Sequence, residues 1–114
     1  MRSARVAVAG IACALALGGT SPAGAALRAC KPVRDPYPAS RDAGVDLTRI
    51  RTSAGSCTTA RRVARRAHRK AIRMPVTGRY KRFTWNGWKV TGDLRPDHDR
   101  YEARKDGRLV RWRF

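Results

Sequence analysis

The chain has 114 residues, and its formal net charge is +18 because 26 lysines and arginines stand against only 8 acidic residues. This length favours one domain with a thin core over several domains. No apolar stretch reaches the roughly 20 residues that span a bilayer, which excludes an integral membrane protein.

Residues 1–25 have the pattern of a signal peptide. Arg2 and Arg5 form a positive start, residues 6–17 are an apolar run, and Ala23 and Ala25 supply the small side chains that a signal peptidase needs. We therefore predict cleavage after Ala25, with cleavage one residue later as the alternative. The mature protein is then secreted.

Cleavage removes Cys13 and leaves two cysteines, Cys30 and Cys57. A lipid-attachment site at Cys30 is disfavoured, because Arg28 places a charge where such sites have a small or apolar residue. In an exported chain, two cysteines predict one disulfide. Closing a loop of about 27 residues in this way stabilises the fold by about 3 kcal/mol.

Arginine dominates the positive charge, with 21 Arg against 5 Lys. Removal of Arg2 and Arg5 leaves 24 basic and 8 acidic residues, a net charge of +16. Arginine binds phosphate, sulfate or carboxylate through two hydrogen bonds. A GC-rich genome also favours Arg over Lys, so the net excess of positive charge is more informative than the Arg:Lys ratio.

The segment 26–44 is predicted to be an extended, mostly irregular lead-in, because three prolines and Gly44 interrupt it. Apolar side chains then recur at Val45, Leu47 and Ile50, which favours a short strand. We place the folded domain at residues 45–114.

A helix is predicted from Cys57 to about Ile72, with Ser56 as its N-cap. Apolar residues recur at helical spacing along one narrow stripe. This stripe comprises Cys57, Ala60, Val63, Ala64, Ala67 and Ala71. Small side chains of this kind allow a helix to lie close to a sheet.

Two hairpins are predicted after the helix. A two-residue turn at Asn86-Gly87 pairs Phe83 with Val90. A second two-residue turn, at Asp106-Gly107, is predicted to form the other hairpin in the same way. These registers also pair Trp85 with Trp88, Ala103 with Val110, Tyr101 with Trp112 and Glu102 with Arg111. Large apolar residues then share one face of each hairpin, except Leu109, which falls on the opposite face.

These elements predict an α+β fold, in which one main helix packs on a small antiparallel β meander in a single disulfide-stapled domain. The helix start Ser56-Cys57-x-x-Ala60-x-x-Val63 and the ending Gly107-x-x-Val110-x-Trp112-x-Phe114 resemble small secreted actinobacterial proteins of unknown function. The resemblance covers roughly residues 45–114. It implies export and this fold, and it brings neither an activity nor site residues.

The outward face of the helix is the best candidate site for binding a polyanion. It comprises Arg61, Arg62, Arg65, Arg66, Arg69 and Lys70. Such a stripe attracts phosphate-rich partners through release of their counterions. A run of charges on a helix is also typical of a solvated surface, and this interpretation stays open.

Other candidate sites are weaker. Trp85, Trp88 and Trp112 could stack on bases or sugars, but their shared face favours a core role. Asp97-His98-Asp99 with Glu102 could hold a metal or act as acid and base, yet Pro96 before it and a strand after it favour a polar loop. His68 lies on the arginine-rich helix, and no zinc-like spacing joins it to His98.

We therefore expect a small secreted, basic, monomeric binding module that is not an enzyme and has no cofactor or metal. Its expected partner is an anionic cell-envelope polymer or another polyanion. A secreted protein-interaction or inhibitor module is one alternative. A secreted ribonuclease is another, with Glu102 and His98 or His68 as its only acid–base candidates.

Overall fold

The structure is a computed structural model that describes residues 27–53 and 55–114. The predicted signal peptide and its cleavage site lie outside the described residues. In chain order the elements are strand β1 (Arg28–Ala29), strand β2 (Thr48–Thr52), helix α1 (Cys57–Ile72), and strands β3 (Tyr80–Trp85), β4 (Trp88–Leu94), β5 (Asp99–Lys105) and β6 (Arg108–Arg113).

The strands form one antiparallel sheet in the order β1-β2-β6-β5-β4-β3. The sheet is larger than the predicted meander, because β1 and β2 extend it beyond β6. The lead-in is also more regular than predicted. Cys30 N donates to Ile50 O at 2.8 Å, and Val33 and Leu47 exchange two backbone hydrogen bonds of 2.9 Å. These contacts hold the lead-in along the edge of the sheet.

Both hairpins have the predicted registers. The turns at Asn86-Gly87 and Asp106-Gly107 have positive φ at both central residues, which is the backbone shape that such short hairpin loops require. The paired residues are Phe83 and Val90, Trp85 and Trp88, Tyr101 and Trp112, Ala103 and Val110, and Glu102 and Arg111. Leu109 is half-buried on the opposite face, and its backbone hydrogen-bonds Ser53.

Helix α1 has capping hydrogen bonds at both ends. The Ser56 hydroxyl accepts a hydrogen bond from Thr59 N at 3.1 Å, as expected of an N-cap. At the other end, Lys81 Nζ donates to Ala71 O at 2.7 Å from strand β3. A lysine at this position also interacts favourably with the negative end of the helix dipole.

The disulfide between Cys30 and Cys57 is present, with 5.4 Å between the two Cα atoms. It joins the lead-in to the first turn of α1. The bond therefore closes the predicted loop and fixes the helix start against the β1 edge of the sheet.

The predicted alanine stripe packs on the sheet. Its residues are Ala60, Val63, Ala64, Ala67 and Ala71, which are at most 3% exposed. Opposite them lie Leu47, Ile50, Val90, Ala103, Val110 and Trp112. Because this face of α1 is buried, the arginines between the apolar positions are directed toward water.

His68 is a core residue. Its position on the arginine-rich helix did not predict this burial. It is fully buried, and its Nδ1 accepts a hydrogen bond from Trp112 Nε1 at 3.2 Å. Its ring lies among aromatic rings, with centroids 4.6 Å from Tyr101 and 4.1 Å from Phe114. Burial, with a smaller contribution from the charge of Lys81, lowers the pKa of His68 to about 3.

Tyr37 covers the same aromatic cluster from the lead-in. Its ring stacks on His68 at a centroid distance of 5.9 Å, and its hydroxyl donates to Arg65 O at 2.5 Å. Burial raises the pKa of Tyr37. This contact anchors the irregular part of the lead-in on α1 beside its cationic face.

Candidate anion-binding site

The outward face of α1 presents cationic side chains, as predicted. Arg62, Arg66, Arg69 and Lys70 are exposed, whereas Arg61 and Arg65 are half-buried. The cause is geometric. The alanines occupy the side of the helix that packs on the sheet, so the residues between them cannot reach the core.

Two of the six predicted residues also have structural partners. Arg61 donates from Nε to Lys31 O and from Nη2 to Pro32 O, each at 3.1 Å. Lys70 Nζ donates to Thr84 O at 2.7 Å and lies 5.7 Å from the centroid of the Phe83 ring. These side chains hold α1 to the lead-in and to β3, so they are less free to bind a ligand.

The side chains of Arg62, Arg65, Arg66 and Arg69 make no hydrogen bond or ion pair with any residue that the structure describes. Three of them, Arg62, Arg66 and Arg69, are exposed, and Arg65 is half-buried. An arginine in this state keeps its full capacity for a bidentate contact with an anion.

A surface groove of about 670 Å³ lies along this face. It is lined by Arg65, Arg66, Arg69, Lys70, Arg73 and Trp85, and we call it the helix-face groove. Five of its six lining residues are cations and none is an acid. Arg73, the helix C-cap, joins the predicted site because it directly follows the last helical residue.

The prediction that all three tryptophans are core residues holds only in part for Trp85, which packs against the core without being buried in it. Trp88 and Trp112 are buried, but Trp85 is only half-buried and lines the helix-face groove. The first hairpin pairs Trp85 with Trp88 at its turn, and Trp85 packs against the core from its edge. The groove therefore has an aromatic wall beside its guanidinium groups.

No carboxylate lines the helix-face groove, and the acids with arginine partners at ion-pair distance lie on the sheet. Asp93 contacts Arg79 at 2.8 Å and Arg95 at 3.1 Å, and the hydrogen bond from Arg79 lowers the pKa of Asp93. Glu102 contacts Arg104 at 2.7 Å and Arg111 at 3.1 Å. Asp42 of the lead-in shares a neighbouring groove with Arg69 and Arg73, but it does not line the helix-face groove itself.

The Asp97-His98-Asp99 segment lies between β4 and β5 and continues into β5. His98 Nδ1 lies 2.7 Å from Asp97 Oδ2, and this contact lowers the pKa of Asp97. Arg100 Nε donates to His98 Nε2 at 3.0 Å. Burial raises the pKa of Asp99. Among residues 27–53 and 55–114, no three His, Cys, Asp or Glu side chains are grouped to hold a metal ion.

No protein-family model, curated protein or solved structure matches the chain. The resemblance to small secreted actinobacterial proteins therefore stays a prediction. Within the described part of the chain, no helix has the length and apolarity needed to cross a membrane.

Proposed function

We propose that this protein is a small secreted, non-enzymatic binding module whose helix-face groove binds anionic cell-envelope polymers or other polyanions. The observation that carries the proposal is the group of four arginines, Arg62, Arg65, Arg66 and Arg69, without a partner among the described residues. Their positive charges are held side by side on a rigid helix.

The energetic reason is release of counterions. A linear polyanion concentrates cations around its backbone, and each protein cation that replaces one of them returns it to the solvent. The absence of acids from the lining of the groove supports this role, because a nearby carboxylate would compete with the polymer for the same guanidinium donors.

Two further features support the proposal. Lys70 and Arg61 fasten α1 to its neighbours, so the helix presents its arginines without a large loss of backbone freedom on binding. The Cys30–Cys57 disulfide fits an oxidising compartment outside the cytoplasm, where envelope polymers with phosphate groups are available.

The test compares two variants that lose the same charge. One replaces groove residues, Arg65→Gln, Arg66→Gln and Arg69→Gln. The control replaces exposed lead-in residues, Arg28→Gln, Lys31→Gln and Arg34→Gln. Binding is measured at low salt as fluorescence anisotropy of dye-labelled linear polyphosphate, and circular dichroism checks that each variant is folded.

We expect the groove variant to bind at least about tenfold more weakly than the unmodified protein, because each lost phosphate contact contributes to affinity through counterion release. The control should lose less affinity, because it lowers the net charge but removes no residue of the groove. Equal losses in both variants would refute a defined groove. An unmodified protein that ignores polyphosphate and teichoic acid at low salt would refute the proposal itself. Turnover of RNA, or a stoichiometric protein partner retained at high salt, would favour the alternative functions.

A further inference from the structure

A second cationic surface lies on the opposite side of the sheet from α1. Strand alternation directs Val90, Ala103 and Val110 toward the helix and directs their neighbours outward. On that outward side, a groove of about 600 Å³ is lined by five arginines and two acids, Asp93 and Glu102. The arginines, which we call the sheet-face cluster, are Arg49, Arg51, Arg100, Arg111 and Arg113.

The sheet-face cluster contains like charges in direct cross-strand positions. Arg51 of β2 is opposite Arg111 of β6, and Arg100 of β5 is opposite Arg113 of β6. Like charges in such positions destabilise a sheet. Arg51, Arg100 and Arg111 are exposed and Arg113 is half-buried. An anion bound between the strands would convert the repulsion between these arginines into attraction.

The acids of this groove neutralise only Arg111 among the five arginines of the cluster. Glu102 contacts Arg111 and Arg104, and Asp93 contacts Arg79 and Arg95. Arg100 donates to His98. The side chains of Arg49, Arg51 and Arg113 are left without a hydrogen bond or ion pair to any other residue in the described ranges.

We propose that the sheet-face cluster is a second anion-binding site, and that one molecule thereby bridges two chains of a phosphate polymer. This inference rests on the proposed function, because the helix-face groove holds the first chain. The two sites lie on opposite sides of one helix-on-sheet sandwich, so a single chain cannot occupy both without wrapping around the domain. A guanidinium donates two parallel hydrogen bonds to a phosphate, which makes phosphate the best-matched anion.

The experiment is a bridging assay with inorganic polyphosphate. One polyphosphate preparation is immobilised on beads, a second carries a dye, and the protein is added at low salt. Dye is retained only if protein molecules hold both chains. The test variant is Arg49→Gln, Arg51→Gln and Arg113→Gln. The matched control is the lead-in variant, which also loses three positive charges, at other positions.

We expect the sheet-face variant to bind immobilised polyphosphate within about threefold of the unmodified protein but to retain at least about tenfold less dye, because the phosphate contacts of one site are lost. The lead-in control should retain dye. The inference would be overturned if the sheet-face variant retained as much dye as the unmodified protein, or if the control lost as much dye as the sheet-face variant. Binding of one chain by the unmodified protein without bridging would overturn this inference alone. Absence of any binding would overturn the proposed function as well.

Two sources of phosphate polymer are then distinguished by replacing both polyphosphate chains with teichoic acid or with DNA. Bridging of teichoic acid assigns the two sites to an envelope polymer, and bridging of DNA assigns them to nucleic acid. Failure with both polymers would overturn the assignment of the two sites to an envelope polymer or to nucleic acid, even if polyphosphate is bridged.

Discussion

Acid should destabilise this protein through the buried imidazole of His68. The imidazole is fully buried, accepts a hydrogen bond from Trp112, and has a pKa of about 3 against an ordinary value of 6.5. Because this pKa is lower in the folded state, the unfolded chain binds the proton first as the pH falls. The stabilisation is therefore complete above pH 6.5 and is lost progressively between pH 6.5 and about 3.

The size of the effect follows from the two pKa values. One pKa unit corresponds to about 1.4 kcal/mol, so lowering the pH from 7 to 4.5 should reduce the free energy of unfolding by about 2.5 kcal/mol. Urea unfolding followed by tryptophan fluorescence should show a midpoint about 1–2 M lower at pH 4.5 than at pH 7. This pH range ends above the lowered pKa values of Asp93 and Asp97.

A variant separates His68 from other titrating groups. His68→Gln retains an oxygen that can accept from Trp112 Nε1 but does not titrate, so its stability should change much less between pH 7 and pH 4.5. The raised pKa of Asp99 acts in the opposite direction and is common to both proteins. An equal pH dependence in the variant and the unmodified protein would refute this account of the core.

Two further predictions concern the fold. Gly92→Ala would place a Cβ atom 2.4 Å from the Tyr101 ring and should lower the free energy of unfolding by about 1–3 kcal/mol, measured by urea unfolding. The control is Gly78→Ala, whose Cβ atom would meet open space, and it should change this free energy by less than about 0.5 kcal/mol. Replacing Cys30 and Cys57 by serine should cost about 3 kcal/mol in the same measurement, and unchanged stability would contradict the stabilising role of this bond.

Local patterns were sufficient to predict the helix and both hairpins. Ser56 and the alanine spacing define α1, and the turns at Asn86-Gly87 and Asp106-Gly107 fix the strand registers because each turn joins neighbouring strands. The pairing of β2 with β6 joins segments about 60 residues apart along the chain. No turn residue specifies such a contact, so the full sheet could not be derived in this way.

The candidate sites also divide into one that local patterns predict and one that depends on a long-range contact. The cationic helix face was predicted from helical spacing, but the sheet-face cluster depends on placing Arg51 opposite Arg111, which requires the long-range pairing. His68 could have been identified as a core residue, because it lies four residues after Ala64 and three before Ala71 on the buried side of α1. Its polar ring and its arginine neighbours obscured that periodicity.

The salt dependence of polyphosphate binding tests the central claim most directly, because its slope counts the phosphates that the protein contacts. In a plot of log K against log salt concentration, replacing Arg65, Arg66 and Arg69 by glutamine should reduce the slope by about 2–3, and the lead-in variant should keep nearly the original slope. An unchanged slope in the groove variant would contradict direct contact between the helix face and the polymer.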